Sequence, residues 1–150
     1  MSIQSDTPPE ALVETLSILS ILISRFPNHI SGTAYTPTPL QVLAPLLSHS
    51  RPVVRKRAII TISQFIPISP AALFSALLKS DVLPNLTASA NLEKQRTTVQ
   101  LVAAVARNSP SQIAPVLSNI VPGILQAVEK SDDELREGSL QVGSIFHLLF

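Results

Sequence analysis

Apolar residues recur along the chain with the three- to four-residue spacing of α-helices. Leu73, Leu77 and Leu78 follow this spacing, as do Val99 and Val102, whereas the alternation of a half-buried strand is never sustained. Dipeptides of the Ser-Pro or Thr-Pro type precede several of these stretches, as is typical of helix starts. The pattern predicts an all-α protein with seven helices, at about residues 8–26, 38–49, 52–66, 70–88, 92–108, 110–129 and 132–149.

Four of the predicted helices begin with the same local chemistry. Their starts are Thr7-Pro8, Thr38-Pro39, Ser69-Pro70 and Ser109-Pro110. Thr7 and Ser131 are each followed three residues later by a glutamate, which is the spacing of a capping box. We therefore predict that side-chain oxygens cap these starts.

Two independent markers repeat along the chain. Prolines inside the even-numbered predicted helices lie 39 and 38 residues apart, at Pro45, Pro84 and Pro122. Arginines near the start of the odd-numbered helices that follow lie 41 and 40 residues apart, at Arg55, Arg96 and Arg136. A period of about 40 residues with two helices per unit is typical of HEAT and armadillo repeats. A kinking proline in the first helix and an early arginine in the second favour HEAT.

The repeat predicts the organisation of the whole chain. We expect a HEAT-repeat α-solenoid of about three helix pairs after one leading helix, in a single domain covering residues 1–150. Its units would lie at about residues 1–36 (partial), 37–68, 69–108 and 109–150. The leading helix would be the second helix of an incomplete pair. The apolar end of the chain lacks the polar cap that solenoids usually have, which suggests a fragment able to self-associate through its uncapped ends.

The repeat arginines have a predicted structural role. On a helical wheel at about 100° per residue, Arg55 falls inside the apolar arc that contains Val54, Ala58 and Ile62. A buried guanidinium must be paired or hydrogen-bonded. We therefore expect Arg55, Arg96 and Arg136 to bond carbonyl or carboxylate oxygens where helices end.

The opposite arcs of the second helices predict a partner-binding stripe. Aligning the repeats on their arginines gives three parallel rows: Lys56, Thr97 and Glu137; Ile60, Leu101 and Gln141; and Ser63, Ala104 and Ser144. Second helices line the concave surface of a solenoid, where a protein partner would bind. The alternative is that Ile60 and Leu101 are core residues that pack against a neighbouring helix.

Composition narrows the range of partners. Eleven basic and ten acidic residues leave a formal charge of +1, so no strong field attracts nucleic acid. The two uncharged windows, at residues 58–78 and 108–128, are interrupted by prolines and polar residues, which argues against a membrane span. The absence of cysteine fits a cytoplasmic or nuclear protein.

No chemistry-bearing motif occurs in the sequence. The chain lacks the strings of phosphate-binding loops, nucleophile elbows and zinc proteases. His29, His49 and His147 have no neighbouring ligand at helical spacing. We therefore expect no enzyme activity, no cofactor and no metal site.

Three strings in the repeats resemble one family. They are Arg51-Pro52-Val53-Val54-Arg55-Lys56-Arg57-Ala58-Ile59-Ile60, Arg96-Thr97-Thr98-Val99-Gln100 and Asp132-Asp133-Glu134-Leu135-Arg136-Glu137. In order and spacing they resemble the amino-terminal HEAT repeats of the cullin-associated, neddylation-dissociated protein family. The segment Glu14-Thr15-Leu16-Ser17-Ile18-Leu19 is similar to the helix that precedes those repeats.

The resemblance implies a function. Members of that family are long, non-catalytic solenoids that wrap a cullin and its RING subunit, oppose cullin neddylation and promote exchange of substrate receptors in SCF ligase complexes. For this short chain it implies partial binding to a cullin–RING core. The alternative is a HEAT module of another system, such as a nuclear-transport receptor or a phosphatase scaffold, and a membrane-linked segment is a third, more remote interpretation.

Overall fold

The structure, a computed structural model, describes residues 7–30, 37–86 and 91–129. These residues form α-helices, short 3₁₀ turns and one π-helical turn, and they include no β-strand. Two compact units divide the chain, Met1–Leu77 and Leu78–Phe150. The predicted seventh helix, at residues 132–149, lies outside the described residues.

The first unit is built around helix α3. Its elements are α1 (Pro9–Arg25), α2 (Pro39–Leu43) with the 3₁₀ turn Ala44–Ser48, α3 (Pro52–Phe65) with the 3₁₀ turn Ile66–Ile68, and α4 (Ala71–Leu77). Helix α3 contacts α1 on one side and α2 with its 3₁₀ turn on another. The hydroxyl groups of Ser20 in α1 and Thr61 in α3 lie 3.1 Å apart, so a polar contact joins the two helices beside the apolar core.

The second unit is built around α5 and α6. Its elements are the π-helical turn Leu78–Val82, α5 (Leu83–Leu86), α6 (Leu92–Asn108), α7 (Pro110–Ile113) with the 3₁₀ turn Ala114–Val116, and α8 (Leu117–Glu129). Helix α5 contacts α6 and α8. A Cβ built on Gly123 of α8 would lie 2.7 Å from the Cβ of Leu86, a distance that side chains do not tolerate. Glycine at this position therefore permits the close approach of α8 to α5.

Side-chain caps form at fewer helix starts than the sequence predicts. Thr38 forms a capping box with Gln41: its Oγ1 accepts from the Gln41 N–H at 3.4 Å, and its own N–H donates to Gln41 Oε1 at 2.9 Å. At α1 the N-cap position is occupied by Pro8, which has no capping side chain, and capping by Thr7 stays a prediction. The Oγ of Ser109 makes no capping bond, and Ser131 lies outside the described residues.

Two other side chains close helix ends in ways that sequence analysis missed. Ser69 Oγ donates to the carbonyl of Phe65 at 2.6 Å, so it closes the preceding helix. The side chain of Asn91 caps α6 by accepting from the N–H groups of Glu93 and Lys94. The dipeptide rule locates helix boundaries here, but it does not say which of the two helices the hydroxyl serves.

Most prolines inside the helical segments coincide with irregular turns, whereas Pro122 lies within the continuous helix α8. Pro45, Pro67 and Pro115 lie in 3₁₀ turns, and Pro84 follows the π-helical turn. Proline disfavours a continuous α-helix at these positions, because it lacks the backbone N–H and its ring crowds the preceding turn. The described residues thus confirm an all-α helical-repeat fold of paired helices in which the first helix of a pair is the interrupted one.

Candidate partner-binding surface

Arg55 lies on the buried side of α3 and joins two backbone segments. Its side chain is buried, and Nη1 donates to the carbonyl oxygens of His49 at 2.7 Å and Ser50 at 3.1 Å. His49 closes the 3₁₀ turn that follows α2, so the guanidinium compensates carbonyls at a helix end. This is the kind of contact that the apolar arc of α3 predicts for an inward-pointing arginine.

Arg96 in α6 is less buried than Arg55 and pairs with a carboxylate in the first turn of its helix. Its side chain is 30% exposed and lies 3.8 Å from Glu93, one turn earlier in the helix. Gln95, the most deeply buried polar residue of α6, donates through Nε2 to the carbonyl of Leu86 at 3.3 Å. Gln95 is the fourth residue of α6, as Arg55 is the fourth residue of α3. Arg136 lies outside the described residues.

Aligning α3 and α6 by their first residues corrects the alignment of the two repeats from which the partner-binding stripe was predicted. The starts of α3 and α6 are 40 residues apart, whereas the aligned arginines are 41 apart. In the corrected register the counterpart of Ile60 is Gln100 rather than Leu101, and Leu101 corresponds to Thr61. Leu101 and Thr61 are both buried, while Ile60 is exposed and Gln100 half-buried, so burial supports the corrected alignment.

The structure exposes only part of the predicted stripe. Lys56 is exposed and Ile60 is 43% exposed. The other four described members are buried: Ser63, Thr97, Leu101 and Ala104. The last three members, Glu137, Gln141 and Ser144, lie outside the described residues. Ile60 is thus a surface residue and Leu101, at 1% exposure, is a core residue, and partner binding by the stripe stays a prediction.

The accessible face of α3 includes residues that the arginine alignment did not select. Val53, three residues before Lys56, is exposed, and Gln64, one turn after Ile60, is half-buried. The Oε1 atom of Gln64 is buried and has no hydrogen-bond partner in the part of the chain that the structure describes. Helical spacing places Val53, Lys56, Ile60 and Gln64 on one side of the helix, and we call these four residues the α3 face.

The α3 face is apolar and basic. Helix α3 contains no acidic residue, and the exposed Arg51 and half-buried Arg57 stand beside Lys56. An apolar patch bordered by cations fits a protein surface that offers carboxylates around an apolar side chain. Among the described residues no helix is long and apolar enough to span a bilayer, and none of them form a cluster of metal-ligating side chains.

Comparisons with known proteins point to one group of relatives. The chain is 32% identical over 136 residues to cullin-associated NEDD8-dissociated protein 2 of Mus musculus, an alignment that covers 89% of this chain and 11% of that protein. It is 29% identical over 134 residues to cullin-associated NEDD8-dissociated protein 1 of Drosophila melanogaster, covering 89% of this chain and 10% of that protein. The chain thus spans about a tenth of the length of these curated relatives. No model of a known protein family matches it.

Proposed function

Because the chain is related to the family of cullin-associated NEDD8-dissociated proteins, as its repeat strings predict, we propose that it is a non-catalytic scaffold segment that binds a cullin. The finer proposal is that it binds the cullin together with its RING subunit and so takes part in SCF complex assembly and in control of cullin neddylation. The observation that carries the proposal is the similarity over 89% of the chain to proteins named for their association with cullins.

We place the binding site of this proposal on the α3 face. A helix that keeps one side in the core can present the other side to a partner without unfolding. Ile60 supplies an apolar contact and Lys56 a cation, both accessible. The other described stripe positions are buried and offer no accessible contact.

The test is capture of a purified, unmodified cullin with its RING subunit by the purified chain. We expect capture by the wild type and about a tenfold loss of affinity in Ile60→Asp, since apolar contacts at the centre of an interface dominate binding energy. Lys56→Glu should weaken capture and reduce its dependence on salt. Leu125→Asp in α8 is the matched control, because Leu125 is 58% exposed and lies outside the α3 face.

Circular dichroism of each variant separates lost binding from lost folding. No capture by a well-folded wild-type chain would overturn the proposal and leave a HEAT module of another system as the alternative. Capture that Ile60→Asp and Lys56→Glu leave unchanged would retain cullin binding but place it elsewhere than on the α3 face.

A further inference from the structure

Helix α1 carries an apolar patch on the side that faces away from the core. Ile18 is 51% exposed and Ile21 is 60% exposed. Glu14 precedes them by one turn and Arg25 follows them by one turn, and both are exposed. We call these four residues the α1 face. The buried residues of the same helix, Leu12, Leu16 and Ile23, belong to the core of the first unit, in which α1 contacts α3.

The four residues of the α1 face have a symmetric spacing. The successive intervals Glu14 to Ile18, Ile18 to Ile21 and Ile21 to Arg25 are four, three and four residues. This spacing keeps all four residues within an arc of about 60° on a helical wheel at about 100° per residue. This order of intervals is the same when it is read from either end. The chemistry is complementary from end to end, since an acid stands at one end, a base at the other and two isoleucines between them.

We propose that the α1 face binds the α1 face of a second copy of this chain in an antiparallel, two-fold symmetric helix pair. In this arrangement Ile18 lies opposite Ile21 of the second copy. Glu14 lies opposite Arg25 of the second copy, and the two-fold axis forms each of these pairs twice. Apolar positions at intervals of three and four, bordered by opposite charges, are what helix pairs use to associate and to set their orientation.

The order of charges along the α1 face favours an antiparallel second copy over a parallel copy or a membrane surface. A parallel pair would set Glu14 against Glu14 and Arg25 against Arg25, and like charges in contact repel. A membrane surface prefers helices whose polar face is rich in lysine and arginine, whereas the α1 face contains one acid and one base. Neither Glu14 nor Arg25 forms an ion pair within the described residues, so both charges are available.

The area of the patch sets the expected affinity. Ile18 and Ile21, which are each about half-exposed, offer on the order of 200 Å² per copy. The apolar area buried in a dimer is then about 400 Å², well below the total area of about 1,200–2,000 Å² that stable complexes bury. We therefore expect a weak dimer with a Kd between about 10 μM and 1 mM.

The test is sedimentation equilibrium of the whole chain from about 10 μM to about 1 mM, which spans that range of Kd. We expect a reversible monomer–dimer equilibrium in the wild type. Glu14→Arg and Arg25→Glu should each raise the Kd at least about tenfold, because each places two like-charged pairs at the interface. An equimolar mixture of the two variants should form a heterodimer, since each of its two charge pairs then places an arginine opposite a glutamate.

Two further samples complete the design. The double variant Glu14→Arg/Arg25→Glu should dimerise as the wild type does, and Leu125→Asp in α8 should leave the Kd unchanged. A wild type that stays monomeric at 1 mM would overturn the proposal, and so would a dimer that neither single variant weakens. Failure of the mixture to associate would overturn the antiparallel register. The proposal does not depend on cullin binding, whose variants lie on α3.

Discussion

Replacing Arg55 by methionine tests whether this arginine closes a helix end. Arg55→Met keeps the unbranched shape and the buried apolar stem but removes the donors to the carbonyls of His49 and Ser50, which lie 2.7 and 3.1 Å from Nη1. Hydrogen bonds to charged groups contribute about 1.5–3 kcal/mol each. Since Ser50 is exposed and His49 half-buried, water recovers part of this loss. We expect the free energy of unfolding to fall by about 2–4 kcal/mol.

The matched comparison is Arg96→Met in α6. The side chain of Arg96 is 30% exposed, and its ion pair with Glu93, 3.8 Å away, spans a single turn. Exposed pairs of this kind contribute about 0.2–0.5 kcal/mol. We therefore expect Arg96→Met to lower the free energy of unfolding by less than about 1 kcal/mol. Gln95→Met, which removes the buried donor to the carbonyl of Leu86, should lower it by about 1–2 kcal/mol.

Urea denaturation followed by circular dichroism measures all three variants. With a slope of about 2 kcal/mol per molar urea, Arg55→Met should lower the midpoint by about 1–2 M, and Arg96→Met by less than about 0.5 M. Equal midpoints for these two variants would refute the reasoning, because they would mean that the repeat arginines are equivalent. A Gln95→Met midpoint equal to the wild type would refute the 40-residue register.

Three further substitutions test local features, each by the same urea denaturation. Gly123→Ala should lower the free energy of unfolding by about 1–3 kcal/mol, because the new Cβ would meet the Cβ of Leu86 at 2.7 Å, and an unchanged midpoint would mean that α8 shifts freely. Asn91→Ala removes the side-chain cap of α6 and should cost about 1 kcal/mol, whereas Asn91→Asp should retain most of the stability. Ser69→Ala removes the bond to the carbonyl of Phe65 and should cost about 1 kcal/mol, and no loss would show that water replaces this bond.

The sequence predicts the helices and their bounds better than it predicts the side chains that cap them. Predicted bounds for the six described helical segments differ from the observed ones by two residues or fewer, because apolar spacing and Ser-Pro or Thr-Pro boundaries are local properties. Ser69, predicted to cap the helix that follows it, bonds the carbonyl of Phe65 in the preceding helix instead, since Ser and Thr can cap on either side of a boundary. Kinking prolines were predicted inside the first helices, but the type of turn at each one, 3₁₀ or π-helical, was not, because it depends on how the kinked segment packs against its neighbours.

The candidate site was harder to predict because it depends on register. A shift of one residue turns a helix by about 100° and exchanges a core position for a surface position. Aligning the repeats on the same amino acid, arginine, produced that shift, and it paired the exposed Ile60 with the buried Leu101. Aligning the repeats on the buried side chain that donates to a backbone carbonyl, whether a guanidinium or an amide, pairs Arg55 with Gln95. Physical role, rather than residue identity, is therefore the safer guide between diverged repeats.

The corrected register also separates what specifies the fold from what can specify a partner. The fourth and tenth positions of α3 and α6 are buried in both helices, although their residues differ. The ninth position is accessible in both, and it is isoleucine in α3 and glutamine in α6. Repeats must share their burial pattern in order to stack, but nothing in stacking fixes the chemistry of an accessible position. The difference at the ninth position is therefore where partner specificity can reside, and this is why Ile60, rather than a repeat arginine, is the residue on which the binding experiment depends.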